Sequence, residues 1–307
     1  MNRQLFGKVV ASLRRDRFSF HTGRVWSQQE LADQVGLTQR IVSKIERGQQ
    51  VRLDGEILRG LADAFNLSTM ERGEFFAMAS EVNGYETVRR DQCLGVADGV
   101  CCGEVFGQVW MMLETVQAPA MVIDSFGDIV GMNRNMVAFY NINMDILQAK
   151  KSADGRINTL ELMVMGNVEL IRKVLGDDWR SVALGFLHQW RYMTMRHRHT
   201  PRYESIFTEL SSLPEFRALW ALANDSITPL HDCSLLRNYN FRHGVWGPVS
   251  YTTMTNSTLC AYGRLHHSVL VPRDPSTSAL FQKLAVQHKG VIPFMPWPNR
   301  ISDEANG

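Results

Sequence analysis

SQQELADQVGLTQRIVSKIERG, residues 27 to 48, decides how the first part of the chain is read. Ser27 with Glu30 three residues later is a capping box, so a helix is predicted to start at Ser27. Leu31 and Val35 then fall four apart on one face. Gly36 ends this helix by adopting a backbone conformation that other residues avoid. Thr38 caps a second helix, whose Ile41, Val42 and Ile45 make an inward stripe. Gln39, Arg40, Ser43, Lys44 and Arg47 are left outside, a polar row that folding alone does not require. Helix, glycine turn and second helix with an outward Gln/Arg/Ser/Lys row are the parts of a helix-turn-helix.

The stretch resembles the DNA-binding domain of lambda-repressor-like (XRE-family) regulators. The likeness runs through Gln28, Glu30, Leu31, Ala32, Gly36, Leu37, Thr38, Gln39, Ser43, Ile45, Glu46, Arg47 and Gly48. It implies that double-stranded DNA is the partner. Gln28, at a helix start, is placed to hold a phosphate. Gln39 and Arg40 sit where the second helix would reach base edges, with Thr38 beside them as a further DNA-binding residue; Gln can pair bidentately with adenine and Arg with guanine. Ser43 and Lys44, one turn on, extend the reading or grip the backbone. The resemblance also implies a structural ion pair between Arg14, near the end of the first helix, and Glu46. The stretch from Phe18 to Val25 is longer than the family's usual connection and is expected to be a packed loop.

Charge is distributed to match. Through Arg52 the chain carries ten Lys/Arg against four acids, a net +6; the remainder carries 23 against 27, a net −4. Positive charge concentrated on the helix-turn-helix end suits attraction to phosphates. The 307 residues allow one large or two medium domains, and 45% apolar with 21% charged residues describes an ordinary globular protein. The apolar runs are too short for a membrane span, and MNRQLFGKVV lacks a signal peptide's apolar stretch. Five cysteines do not form a disulfide framework, so a reduced, cytoplasmic protein is expected. Cys93, Cys101 and Cys102 lack metal-ligand spacing and a nearby His, and His197 and His199 do not share a helical face; no metal is expected. No nucleophile–base signature or phosphate-binding loop appears, so no catalytic residue and no enzyme activity are expected, and no cofactor is assigned.

Around this motif the chain divides into expected segments: a five-helix bundle over residues 1–80, a linker over 81–103, a second domain over 104–290 and a proline-containing tail over 291–307. The bundle's first helix is predicted over Leu5 to Arg17, with Leu5, Val9 or Val10, and Leu13 inward. Asp54 caps a fourth helix with an Ile57, Leu61 and Phe65 stripe, and Ser68 with Glu71 opens a fifth. In the second domain, Ala120–Asp124, Gly127 and Ile129–Asn133 predict a hairpin, with Asn133 opening a helix. Helices follow over Val168 to Leu175, Trp179 to His199, Tyr203 to Leu210 and Pro214 to Ala223. Strands are predicted over Leu235–Phe241, Val249–Asn256 and His266–Val271, and a last helix over Ser276–Gln287.

This half resembles the PAS-like ligand-binding domain of MmyB-like XRE regulators. The likeness is carried by Pro119 to Asn133, by Pro214-Glu215-Phe216-Arg217-x-Leu-Trp220, and by Phe241-Arg242-His243 with Gly247 and a strand through Tyr251. The fold class is then an all-α helix-turn-helix bundle followed by an α+β PAS-like domain. The resemblance implies a regulator whose second domain senses a small apolar ligand, such as a fatty acid; Met132, Phe139, Trp190, Arg191, Arg196, Phe241 and Tyr251 are the candidate pocket residues, with Arg196 or Arg191 for an acid headgroup. Twelve of fifteen Met lie beyond residue 110, which suits an adaptable pocket and equally an ordinary core. A homodimer is expected, with recognition helices in major grooves one turn apart. The alternative is that the second domain is a protein-interaction or dimerisation platform without a small ligand.

Overall fold

The computed structural model describes residues 1–19, 24–49, 53–82, 102–145, 156–164, 169–225, 236–260 and 263–294. The linker expected over 81–103 and the tail beyond Phe294 lie almost wholly outside these residues. The chain divides into two compact units, Met1–Arg90 with Arg191–Cys233, and Asp91–Trp190 with Ser234–Gly307. Residues 191–233, expected within the second domain, therefore group with the first.

The first unit begins with helices α1 (Arg3–Arg15), α2 (Gln28–Val35), α3 (Gln39–Glu46), α4 (Gly55–Ala64) and α5 (Thr69–Val82). α1 begins two residues before the expected Leu5, capped by Asn2, whose side chain accepts from the Leu5 amide, whereas the starts with a predicted cap are made by that side chain. Ser27 and Glu30 close a reciprocal capping box, Thr38 accepts from the Ile41 amide, and Asp54 accepts from the amides of Glu56 and Ile57. Gly36 stops α2 at φ 72°, the left-handed conformation that costs glycine little. Phe6, rather than Leu5, turns inward from α1, joining Val9, Val10 and Leu13 in a core with Leu31, Val42, Ile45, Leu61 and Phe75. The expected loop from Phe18 to Val25 contains a two-stranded ladder, β1 (Phe18–Ser19) with β2 (Arg24–Val25).

Gly7 marks the closest approach in this bundle. A Cβ there would lie 2.4 Å from the Glu46 carbonyl oxygen and 2.5 Å from that of Ile45, so α1 meets the end of α3 backbone against backbone. The unit is completed from far along the chain. The last turn of α10 (Trp179–Met193) from Arg191, a 3₁₀ turn at Met195–His197, α11 (Pro201–Ser211) and α12 (Pro214–Asp225) belong to it. The helix expected to run to His199 stops at Met193 because Met195 enters the bundle core and Thr200, before Pro201, is extended.

In the second unit six strands form one antiparallel sheet in the order β5-β6-β7-β3-β4-β8. These are β3 (Ala120–Asp124), β4 (Ile129–Asn133), β5 (Leu236–His243), β6 (Gly247–Cys260), β7 (Gly263–Pro272) and β8 (Val291–Pro293). β8 was expected as tail; it pairs Gly131 with Pro293 on the sheet edge, where a proline without an amide proton is tolerated. Helix α6 (Cys102–Thr115) buries Val109 and Leu113 against Ala120, Val122, Val130 and Leu265. Its Trp110 occupies the space a side chain at Gly131 would need. The remaining helices are α7 (Arg134–Phe139), α8 (Thr159–Val164), α9 (Glu169–Leu175), the first part of α10, and α13 (Pro275–Gln287). Asn133 uses its whole amide to close the hairpin onto α7. Its Oδ1 accepts from the Ala120 and Met136 amides, and its Nδ2 donates to the carbonyls of Val116 and Ala118. The architecture is thus a helical bundle with one short two-stranded ladder, and an α+β unit.

Candidate functional site

On the first unit, Thr38, Gln39 and Arg40 are exposed at the N-terminal end of α3, and Ser43 and Lys44 are half-buried one turn on. A helix N-terminus carries unpaired amides and a positive dipole end, so this row presents donors and a cation together. Gln28 is half-buried and its Nε2 donates one hydrogen to Glu46 Oε2 at 2.8 Å, which leaves the second amide hydrogen as a donor. Arg14 grips the other end of α3: Nε donates to Glu46 Oε1 at 2.6 Å and Nη2 to Oε2 at 3.0 Å. A third donor, Nη1, reaches the Trp26 carbonyl at 2.5 Å. The two side chains are 13% and 7% exposed, so solvent screens this pair far less than a surface pair.

The seven residues expected around an apolar ligand separate into two groups. Arg191 and Arg196 lie in the first unit. Arg191 Nε donates to Glu71 Oε1 at 2.9 Å, and Arg196 pairs with Glu74 and, at 2.9 Å, with Glu81. The other five lie in the second unit and are buried. Met132 stands opposite Met121 across β3 and β4. Trp190 donates its indole N–H to the Phe126 carbonyl at 2.8 Å, closing over the β3–β4 turn beside Gly127. Phe139, Phe241 and Tyr251 meet in one aromatic cluster, with Phe139 and Tyr251 ring centroids 5.7 Å apart and Phe241 and Tyr251 6.0 Å apart.

Sequence reasoning missed other members of this cluster. Tyr140, Tyr239, His243 and Phe281 complete it, and the Tyr140 and Tyr251 hydroxyls share a hydrogen bond at 3.0 Å. Tyr239 and Tyr251 are direct partners across β5 and β6, so their side chains share one sheet face. Burial holds both Tyr140 and Tyr251 hydroxyls above the usual tyrosine range, so the pair stays protonated. His243 is fixed by its surroundings. Its Nδ1 accepts from the amides of Val245 and Trp246, so its Nε2 carries the proton and donates to the Phe139 carbonyl at 2.7 Å. The Phe-Arg-His run was visible in the sequence, but not which aromatic rings would gather about it.

Burial depresses the His243 imidazole below its ordinary 6.5, against the opposing hydrogen bond to Phe139, and burial alone depresses His267. The unfolded chain therefore takes up these protons first. The stability that these two histidines contribute to the second unit is fully present above pH 6.5 and is lost as the pH drops below it. Thermal melts at pH 7.5 and 5.5 are expected to show a lower midpoint at 5.5 for the transition of this unit.

Among the described residues no helix is long and apolar enough to cross a membrane, and no group of His, Cys, Asp and Glu is arranged to hold a metal ion. Residues 25–71 match a helix-turn-helix family, and residues 107–284 match the family described as MmyB-like transcription regulator ligand binding domain. Comparison with curated proteins found no match. The second match covers more than half of the chain, and both families are of regulator type. The chain belongs to the MmyB-like transcription regulators: it is a DNA-binding transcription regulator that carries a ligand-binding domain.

Proposed function

We propose that this regulator reads duplex DNA through the N-terminal end of α3, with residues 1–80 as the reading head. The observation that carries the reading is the exposed Thr38–Gln39–Arg40 row at a helix N-terminus, with Ser43 and Lys44 behind it. Gln39 and Arg40 address base edges, Gln28 and Thr38 hold phosphates, and Ser43 and Lys44 extend either contact. Arg40→Ala is expected to cost about 1–3 kcal/mol at one base position and to relax preference there. Fluorescence anisotropy on a duplex enriched by the protein from random-sequence DNA checks this. Equal weakening on that duplex and on random DNA would make Arg40 a phosphate contact only.

The ligand-binding domain takes a small apolar molecule, a fatty acid or one like it, in a PAS-like arrangement of one antiparallel sheet flanked by helices. What supports this is the second unit's buried Met132, Phe139, Trp190, Phe241 and Tyr251, with the paired Tyr140 and Tyr251 hydroxyls as a polar end. Arg191 and Arg196 are engaged by carboxylates of the first unit and are left out of this site. The protein acts in the cytoplasm as a homodimer on two half-sites about 34–36 Å apart. Native mass spectrometry of the purified chain tests the ligand reading. A discrete apolar mass that departs on mild activation is the expected result. An unliganded chain with no thermal shift across a fatty-acid panel would instead make the domain an interaction platform.

A further inference from the structure

Four consecutive residues at the end of α1, Arg14-Arg15-Asp16-Arg17, are all engaged, and they reach in two directions. Arg14 holds Glu46, the last residue of α3, whose Oε2 also accepts from Gln28. The next residues hold the segment from Met195 to Asp225. Arg15 pairs with Glu204 at 3.3 Å at the surface. Asp16 Oδ2 accepts from Arg198 Nη1 and, at 2.7 Å, from the Tyr203 hydroxyl, while the Asp16 carbonyl accepts from Trp220 Nε1 at 2.8 Å. Arg17 lies with its guanidinium carbon 5.0 Å from the Trp26 ring centroid and donates to the Asn224 carbonyl at 3.5 Å. Asp16, Arg198 and Tyr203 are buried.

Asp16 is the strong point of this junction. The Arg198 Nε and Nη2 atoms are buried without a hydrogen-bond acceptor among the described residues, and Nη2 stands 3.8 Å from Glu71 Oε1. The Asp16 carboxylate is thus the hydrogen-bond anchor of a buried guanidinium 182 residues away. A charge held this way has few alternative positions, because leaving it would strand both partners in a low-dielectric interior. Arg14, two residues before Asp16, has no slack either, since all three of its donating nitrogens are committed.

We propose that Asp16 is a positioning residue for DNA reading. Held by Arg198, Tyr203 and Trp220, it fixes the last turn of α1, and through Arg14 and Glu46 that turn fixes α3 and Gln28. The segment from Met195 to Asp225, which lies within the stretch matched to the ligand-binding family, is thereby part of the reading head's support. The inference rests on α3 as the reading helix and adds what sets its position.

The test uses the full chain and the duplex it enriches from random-sequence DNA, with Asp16→Asn, Tyr203→Phe, Glu46→Gln and the Asp16→Asn/Glu46→Gln double variant. Asp16→Asn and Tyr203→Phe are each expected to weaken binding to the enriched duplex about threefold to thirtyfold, the range for residues that act through a network. Binding to random-sequence DNA, which is shared among many phosphate contacts of which this path sets only Gln28 and those on α3, changes less than binding to the enriched duplex, by under about threefold. The double variant is expected to bind within about twofold of the weaker single variant, because both changes break one path. A folded Asp16→Asn variant with wild-type affinity, or a double variant showing the full product of the two losses, overturns the proposal. If Asp16→Asn does not fold, Tyr203→Phe, which removes a single hydroxyl, decides alone by the same affinity measurement. Arg40→Ala runs beside them: unchanged binding there counts against α3 as the reading helix, not against the Asp16 path.

Discussion

Replacing Arg191 with methionine is expected to destabilise the first unit by about 3–5 kcal/mol, the loss seen when one member of a buried ion pair is removed. The side chains of Arg191 and Glu71 are 3% and 1% exposed, so water cannot take the place of the lost partner. Glu71 does two jobs. Its Oε2 accepts from the Ser68 amide at the start of α5, and its Oε1 accepts from Arg191 Nε. Burial alone would raise its carboxyl, but Arg191, Arg198 and the Ser68 bonds together hold it below its ordinary 4.5. Arg191 also donates to the Ala223 carbonyl and lies with its guanidinium carbon 5.4 Å from the Trp220 ring centroid, so methionine removes several restraints on α12 at once. Faster amide hydrogen exchange in α5 and α12, with α7 and α13 unchanged, is the signature to look for. Adding Glu71→Gln, which keeps an acceptor for Ser68 and removes the stranded charge, is expected to recover part of the loss. An Arg191→Met protein exchanging at wild-type rates would show that the pair contributes nothing net.

The second large effect belongs to the other unit. Phe139→Ala is expected to cost about 3–5 kcal/mol, since a fully buried ring is removed from neighbours that cannot all close in. Tyr140 and His243 lie 5.0 Å from it by ring centroid, Phe281 5.4 Å and Tyr251 5.7 Å. Those neighbours come from the residue capping α7 and from β5, β6 and α13, so the ring ties together elements from both ends of the unit's sequence. The cavity left behind is lined by aromatic faces and should stay dry. A lowered thermal midpoint that benzene partly restores checks both the packing loss and the apolar character of the space.

Local chemistry made most of the elements legible, and distance hid the rest. Ser27 with Glu30, Thr38, Asp54, Ser68 with Glu71, and Asn133 all act on amides within three residues, so their helix starts follow from the sequence alone. The basic run from Arg191 to Arg202 shows the opposite case. Periodicity and composition describe it equally well as a solvated helix end. Its burial depends on Asp16, Glu71 and Glu74, 120 or more residues earlier, and no local pattern encodes such a pairing. Gln28 was read as a phosphate contact from its place at a helix start; its bond to Glu46 depends on how α2 and α3 meet. β8 failed for a related reason, because three residues before a run of prolines become a strand only when β4 supplies the edge.

Gly7 carries a consequence for how this regulator can be controlled. With α1 seated at Gly7 directly on the terminal carbonyls of α3, no side chain lies between the two backbones at that point to absorb a rotation of one helix against the other. On the proposed reading through α3, the choice of bases then rests on a rigid contact. On that reading a signal acts on occupancy, through how often and how long the head sits on DNA, and leaves the preferred sequence unchanged.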